Sequence, residues 1–229
     1  MWQALRSELH PKGLEIVTVA LDTGGADAVR PWLDAARPEH PALIDVAHVV
    51  DELLGIVNVP NAVWIDEEGM IVRPAEPAWP GRTPVRDMMA AARANNAMNA
   101  VVEAVGKMHI DPERYLARVL DWVDKGAASE FVMSPDQVIA RSRPRSPDLA
   151  LAAAHFEMGQ HLHLAGDHAA AVTHWREAHR LDFANWTYKR QAWHLETGDT
   201  ITQSPVYEGS WLVDVTALGA ENYYPQLEP

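Results

Sequence analysis

Asp45, His48 and Asp51 place an imidazole between two carboxylates on one short stretch of the chain. Together they are candidates for a polar cluster. The alternative is structural: Asp45 caps the helix that follows, and His48 lies on the exposed side of that helix. We favour the structural interpretation, because an acidic residue just before an apolar helical pattern is typical of a cap.

The chain has 11 histidines and no cysteine. Helical zinc sites use histidines three or four residues apart, and no two histidines here have that spacing. A cross-helix group of four remains: His155, His161, His168 and His174. We predict no metal site and no cofactor, with the histidines solvated or capping. Without sulfur the chain has no disulfide, no thiolate ligand and no thiol nucleophile of its own.

The formal net charge of −13 opposes binding to phosphate backbones, so nucleic acid is not an expected partner. The sequence has no apolar run long enough to cross a membrane and no secretory signal. It therefore predicts no membrane partner and a cytoplasmic location as written. An extracytoplasmic location follows instead if the true start lies upstream of Met1.

The first third of the chain alternates strand and helix patterns. Residues 14–21 are rich in β-branched side chains and predict a strand covered on both faces. Residues 27–36 predict a helix with Pro31 in its first turn and Trp32 inward, and residues 46–54 predict another with Val49 and Leu53 inward. A hairpin with a turn at Gly69 follows, and the proline-rich residues 74–84 mark the exit from this unit.

The rest of the chain is predicted to be mainly helical, in residues 85–105, 112–125 and 185–195, with a linker at 142–147. Residues 148–182 carry small and large side chains at the spacing of a helical hairpin, and this pattern resembles one tetratricopeptide (TPR) repeat. Gly159 would let the two helices approach and Trp175 would fill the space between them. In the tail, residues 211–215 alternate weakly and predict an edge strand or a draped arm.

Residues 57–72, VNVPNAVWIDEEGMIV, join a Val-Pro step to an apolar strand, an acidic-Gly turn and a pairing strand. With residues 14–22 and 43–45 they resemble, in order and spacing, the thioredoxin-like proteins of the TlpA, ResA and redoxin group. The resemblance implies a cis bond before Pro60 and a substrate-binding site at Asn58, Val59 and Pro60. It also places Asp45, His48 and Asp51 near the active-site side.

That family has a central strand and a Cys-x-x-Cys helix before this segment, and the present sequence has neither. The gap would leave backbone groups of two strands unpaired. Candidates to fill it are residues upstream of Met1, another protomer, residues 211–215, or direct pairing of the flanking strands. We expect the first, since Met1 falls partway through an amphipathic helix without a cap.

The expected fold is therefore an α/β thioredoxin-like domain at residues 1–80, a helical TPR-like domain at 81–203 and a tail at 204–229. The expected function is non-catalytic binding of a peptide or protein partner, with no catalytic residue assigned. One alternative is a thiol-disulfide oxidoreductase or peroxidase whose active-site segment lies upstream of Met1, which leaves enzymatic activity an open question. The other alternative is a histidine-based metal-binding protein.

Overall fold

The computed structural model describes residues 2–81, 84–95, 99–142, 145–197 and 210–227. These residues are mostly helical, with some β structure in sheets of two strands. The strands are β1 (Thr18–Leu21), β2 (Ala42–Asp45), β3 (Asn61–Ile65) and β4 (Ile71–Pro77). The α-helices are α1 (Trp2–Leu9), α2 (Gly25–Ala36), α3 (Val49–Leu54), α4 (Pro84–Ala94), α5 (Ala100–Lys107), α6 (Pro112–Lys125), α7 (Pro135–Arg141), α8 (Pro147–Leu164), α9 (His168–Leu181), α10 (Trp186–Thr197) and α11 (Trp211–Leu218). Short 3₁₀ turns occupy His10–Lys12, Gly126–Ala128 and Ala220–Asn222.

The four strands form two separate pairs. β1 and β2 are parallel, from Thr18 opposite Ala42 to Leu21 opposite Asp45. β3 and β4 form the antiparallel hairpin that the sequence predicts, with Gly69 in the left-handed region at its turn (φ 80°). Within the described parts of the chain the two pairs are not joined, so direct pairing of the flanking strands does not fill the expected gap.

Several residues that the sequence places inside lie outside. β1 was expected to be covered on both faces, but all four of its residues are half-buried. α2 begins at Gly25, so Pro31 lies inside the helix and not in its first turn. Trp32, which was expected to point inward, is 77% exposed. In α3, Val49 and Leu53 face solvent, because Asp51 takes the inward side of this short helix. The expected apolar faces are therefore wrong at Trp32, Val49 and Leu53, whereas Val29 of α2 is buried as predicted.

One hydrophobic core joins the β3–β4 hairpin to α1 at the start of the chain and to α6 in its middle. Leu9 of α1, Trp64 of β3 and Val72 of β4 are buried with Tyr115 and Val119 of α6. The rings of Trp64 and Trp122 stack at 4.8 Å. α6 therefore belongs to the packing of the hairpin, although the sequence places it beyond the exit at residue 80.

A buried charged triad lies at the same junction. Arg73 donates two hydrogen bonds to the Glu76 carboxylate, at 2.7 and 2.8 Å, and Arg118 of α6 donates another at 3.0 Å. Arg73 also donates to the Phe131 carbonyl at 3.0 Å. All three charged side chains are buried, so the carboxylate holds two guanidinium groups that water does not reach.

The second core lies in the helical part of the chain. α8 and α9 form the predicted hairpin, and a Cβ added to Gly159 would lie 2.4 Å from the Trp175 ring. This confirms the expected close approach at Gly159. The core also contains Trp186 and Trp193 of α10 and Tyr223 near the C-terminus.

The tail contributes a helix to this core instead of the expected strand or arm. α11 spans Trp211–Leu218 and begins at Ser210, whose side chain accepts a hydrogen bond from the Val213 amide. Weak alternation over a few apolar residues does not distinguish a strand from a short buried helix. In this segment the capping bond of Ser210 stabilises the helix. The predicted residues 85–105 likewise divide into α4 and α5, with Asn99 capping the second helix. Residues 82–83, 143–144 and 198–209 of the predicted connections and tail lie outside the described residues.

Candidate functional site

The Val59–Pro60 peptide bond is cis, as the resemblance implies. The loop that contains it is held by the helical part of the chain. The Val57 carbonyl accepts hydrogen bonds from the amides of Trp186, at 2.6 Å, and Thr187, at 3.2 Å. These amides belong to the first turn of α10, where backbone N–H groups have no partner within the helix.

Asn58 and Val59 are also bonded within the chain. The buried Asn58 side chain donates to the Tyr223 carbonyl at 2.8 Å and accepts from the Val59 amide at 2.9 Å. The Tyr224 hydroxyl lies 3.5 Å from the Val59 carbonyl, at the limit of a hydrogen bond. A peptide binding along Val59 would therefore have to displace residues near the C-terminus.

The structure separates the roles of the three predicted cluster residues. The Asp45 carboxylate accepts from the amides of Ala47, at 3.2 Å, and Val50, at 2.6 Å, which confirms the capping role. His48 does not lie on an exposed side of the helix, since only 2% of its surface is accessible. Its backbone adopts the left-handed conformation (φ 57°), which directs the ring inward. The prediction that His48 lies on the exposed side of the helix is therefore wrong.

His48 and Asp51 form the centre of a buried network that we call the histidine junction: Thr23, His48, Asp51, Gln160 and Gln191. His48 Nδ1 lies 2.9 Å from Asp51 Oδ2, and its Nε2 lies 3.3 Å from Gln191 Oε1. The Thr23 amide also donates to Gln191 Oε1, at 3.1 Å, and Gln160 Nε2 donates to the Thr23 hydroxyl at 2.5 Å. The junction therefore joins the α/β part of the chain to α8 and α10.

A backbone N–H can only donate, so Gln191 Oε1 accepts from the Thr23 amide and also lies within hydrogen-bond distance of His48 Nε2. His48 Nδ1 faces a carboxylate, which is also an acceptor. Both ring nitrogens thus face acceptors, and the ring packs edge-on against Phe156 at 5.1 Å. This enclosed arrangement can position the two parts of the chain, but it offers no contact to a substrate.

Thr23, Gln160 and Gln191 were not predicted as members of a site. Glutamines within helical patterns normally read as solvated side chains, and no local spacing connects residues so far apart in sequence. Burial is the only property that distinguishes them, and it comes from tertiary packing.

Four of the other histidines form two pairs across α8 and α9. His155 and His174 approach at 3.0 Å between their Nδ1 atoms, and His163 and His168 approach at 3.1 Å. His161 joins neither pair, so the group of four on which the alternative of a metal-binding protein depends does not assemble. In the described part of the chain, no three histidine or acidic side chains lie close enough to hold a metal ion.

β1 presents a free strand edge. The Thr18 amide donates to the Pro41 carbonyl at 3.0 Å and the Asp22 amide to the Asp45 carbonyl at 3.3 Å, so even-numbered residues of β1 face β2. Alternate residues of a parallel strand bond to opposite sides, so the backbone groups of Val17, Val19 and Leu21 face the other way. Among the described residues, no backbone group pairs with these three, which we call the β1 edge.

The face of the sheet beside this edge is apolar and uncovered. Side chains two residues apart on a strand share a face, and Leu43 lies opposite Val19 in the register. Val17 is 54% exposed and Leu43 is 55% exposed. The residues of this strand are of the types found in buried strands, but their side chains are about half exposed to water.

No family model, curated protein or solved structure matches this chain. No described helix is long and apolar enough to span a bilayer.

Proposed function

We propose that the chain is a polypeptide-binding protein that holds an extended segment of a partner as a strand along the β1 edge. In this proposal the α/β part is a cysteine-free, thioredoxin-like domain of the redoxin type, and α8 and α9 are a TPR-like hairpin joined to it. The order of strands, helices and Val59–Pro60 supports this ancestry. Without cysteine, binding rather than thiol exchange is the activity left to this sequence.

The free β1 edge is the observation that carries the proposal. An exposed strand edge offers a row of backbone donors and acceptors, which another strand can pair with. Natural proteins often protect such edges with charges or prolines, whereas Val17, Val19 and Leu21 are apolar. An added strand would also cover Val17 and Leu43, and fully burying a valine or leucine stabilises a complex by roughly 1.5–3 kcal/mol.

The charge of the chain indicates the composition of the segment. Acidic side chains exceed basic ones overall, and in residues 2–81 the excess is just as clear. A bound strand would place one set of side chains on the apolar face and the other set toward solvent. We therefore infer that the segment alternates apolar and basic residues.

A fluorescein-labelled peptide of alternating lysine and valine tests the proposal by fluorescence anisotropy. Its matched control has the same sequence with alternate backbone amides N-methylated, which removes strand hydrogen bonds and leaves charge and apolar content. We expect the unmodified peptide to bind at least tenfold more tightly than the methylated one. Equal binding of the two peptides, or no binding of either, would overturn the proposal.

Two substitutions locate the site. Val17→Asn removes an apolar contact at the β1 edge, and Val213→Asn makes the same change at a similarly exposed valine of α11. We expect V17N to weaken binding about tenfold, equivalent to about 1.4 kcal/mol, and V213N to leave it unchanged. Equal effects of the two changes would place the binding surface elsewhere.

A further inference from the structure

The helical part of the chain contains an open cleft of about 280 Å³ between α9, α10 and α11. We call it the basic cleft and define it by Arg176, Arg180, Phe183, Lys189 and Asp214. His179 and Trp193 complete its lining. The cleft lies apart from the β1 edge and plays no part in the function proposed above.

The charge of the basic cleft is opposite to that of the protein. Arg176, Arg180 and Lys189 are cationic and Asp214 is the acidic residue of the lining, whereas the chain as a whole carries −13. A local cationic surface within a low-dielectric cleft concentrates anions there, even when the rest of the surface repels them. The cleft is therefore suited to a negatively charged ligand.

The two arginines differ in whether their guanidinium groups are available to bind a ligand. The Arg180 guanidinium is held by the Glu177 carboxylate through hydrogen bonds of 2.8 and 2.6 Å. Arg176 makes no hydrogen bond or ion pair within the described part of the chain, and its side chain is exposed. Its planar set of donors matches a carboxylate or phosphate.

Lys189 is fixed in the wall of the cleft. Its ammonium lies 3.2 Å from Asp214 Oδ2 and donates to the Phe183 carbonyl at 3.2 Å. It also lies 3.8 Å from the centre of the Phe183 ring. Burial lowers the pKa of Lys189, and the negative charge of Asp214 opposes that effect. The ammonium therefore contributes positive potential without being free to leave the wall.

Phe183 gives the cleft an apolar surface. The residue is 40% exposed, and the Lys189 ammonium lies over its ring. An aromatic ring with one accessible face favours stacking of a second flat group.

From this arrangement we propose that the basic cleft binds a small organic anion that joins a flat apolar group to one carboxylate or phosphate. The anionic group pairs with Arg176, and the flat group packs on Phe183. Lys189 and Arg180, each already paired with a carboxylate, form the polar wall of the cleft.

Three naphthalene compounds test the proposal by isothermal titration calorimetry on the full chain: 2-naphthoate, 1-naphthyl phosphate and the neutral 2-naphthalenemethanol. We expect at least one of the two anions to bind and the neutral compound to bind at least tenfold more weakly. The two anions distinguish a carboxylate site from a phosphate site. Equal binding of the neutral compound, or no binding of either anion at millimolar concentration, would overturn the proposal.

Arg176→Gln removes the available guanidinium from an exposed position and should leave the fold intact. Its matched control is Lys107→Gln, the loss of one exposed positive charge at the end of α5, which does not line the cleft. We expect R176Q to weaken binding of the anion at least tenfold and K107Q to change it less than twofold. Similar losses in both variants would show a general charge effect and contradict the proposed site.

Discussion

The helical part of this molecule and the short helices α2 and α3 of the α/β part treat several of their large apolar side chains in opposite ways. In the helical part, Trp175, Trp186 and Trp193 are almost completely buried, and Gly159 leaves room for the first of them. In the α/β part, Trp32 is 77% exposed and Leu53 is 72% exposed. Large apolar residues thus close a core between α8, α9 and α10, whereas in α2 and α3 they face water, although Trp64 of the β3–β4 hairpin is buried.

The difference follows from how each part satisfies its backbone. A helix bonds its own backbone, so two helices with small residues at their contact can close a core by side-chain packing alone. A strand needs a neighbour on each edge, and among the described residues β1 has one on only one side. The α8–α9 hairpin satisfies its own backbone, whereas the β1 edge has no neighbouring strand in the described part of the chain.

The strongest test of this comparison replaces one tryptophan in each part. Trp175→Ala empties a fully buried space between α8 and α9, so we expect a loss of about 3–5 kcal/mol in the free energy of unfolding. Trp32→Ala removes a ring that faces water and should change stability by less than about 0.5 kcal/mol. Urea denaturation followed by circular dichroism measures both. Similar losses in the two variants would contradict the difference between a closed core and an open surface.

Glu76→Gln tests the seam where α6 joins the α/β part. The neutral amide would leave the guanidinium groups of Arg73 and Arg118 buried without a counter-charge, and breaking such a pair costs about 3–5 kcal/mol. The same substitution at Glu67, in the exposed turn of the hairpin, is the control and should have almost no effect. Denaturation of both variants measures the loss in the free energy of unfolding. A Glu76→Gln protein as stable as the unmodified chain would mean that the triad contributes little to the fold.

Much of the local structure could be predicted because it depends on neighbours in sequence. The β3–β4 hairpin follows from a glycine between two apolar runs, and the α8–α9 hairpin follows from spacing that brings Gly159 against Trp175. The cap at Asp45 is local in the same sense. In each case, one or two residues determine the local backbone geometry or the close contact.

The parts that could not be predicted depend on contacts across the chain. The burial of His48 results from Gln191 and Phe156, which nothing in residues 45–51 specifies. Trp32 and Leu53 sit at helical spacing, but an apolar face is buried only where another element covers it. The basic cleft likewise combines α9, α10 and α11, so its charges are dispersed in the sequence.

Gln191→Leu tests whether the histidine junction links the two parts. Leucine would remove the acceptor shared by the Thr23 amide and the His48 ring, and a buried donor without a partner costs about 1–3 kcal/mol. We expect a loss of about 2–3 kcal/mol in stability and faster hydrogen exchange at the Thr23 amide. Gln226→Leu, at an exposed position near the C-terminus, is the control. It should change neither the stability nor the hydrogen exchange at the Thr23 amide. Unchanged exchange at Thr23 would show that the junction does not hold the parts together.

Acid should weaken the helical part through His179, with a smaller effect than the substitutions above. Burial lowers the pKa of His179 from 6.5 to about 3, and the nearby positive charge of Lys189 acts in the same direction. The folded state therefore keeps the ring neutral while the unfolded state takes up a proton below pH 6.5. Above pH 6.5 this group has no effect, and below it stability falls by up to about 1.4 kcal/mol per pH unit until pH 3. Between pH 6.5 and pH 5 we expect a loss of about 2 kcal/mol in urea denaturation.

Two variants show whether His179 is the source of that loss. His179→Gln removes the titrating ring, so its stability, although lower at neutral pH, should depend little on pH between 6.5 and 5. His161→Gln, at an exposed histidine of α8, should keep the full pH dependence. His163 contributes a weaker effect of the same sign, because its partial burial and the neighbouring His168 also lower its pKa. If H179Q lost stability in acid as steeply as the unmodified chain, the sensitivity would arise outside this core, and the closed core of the helical part would tolerate acid.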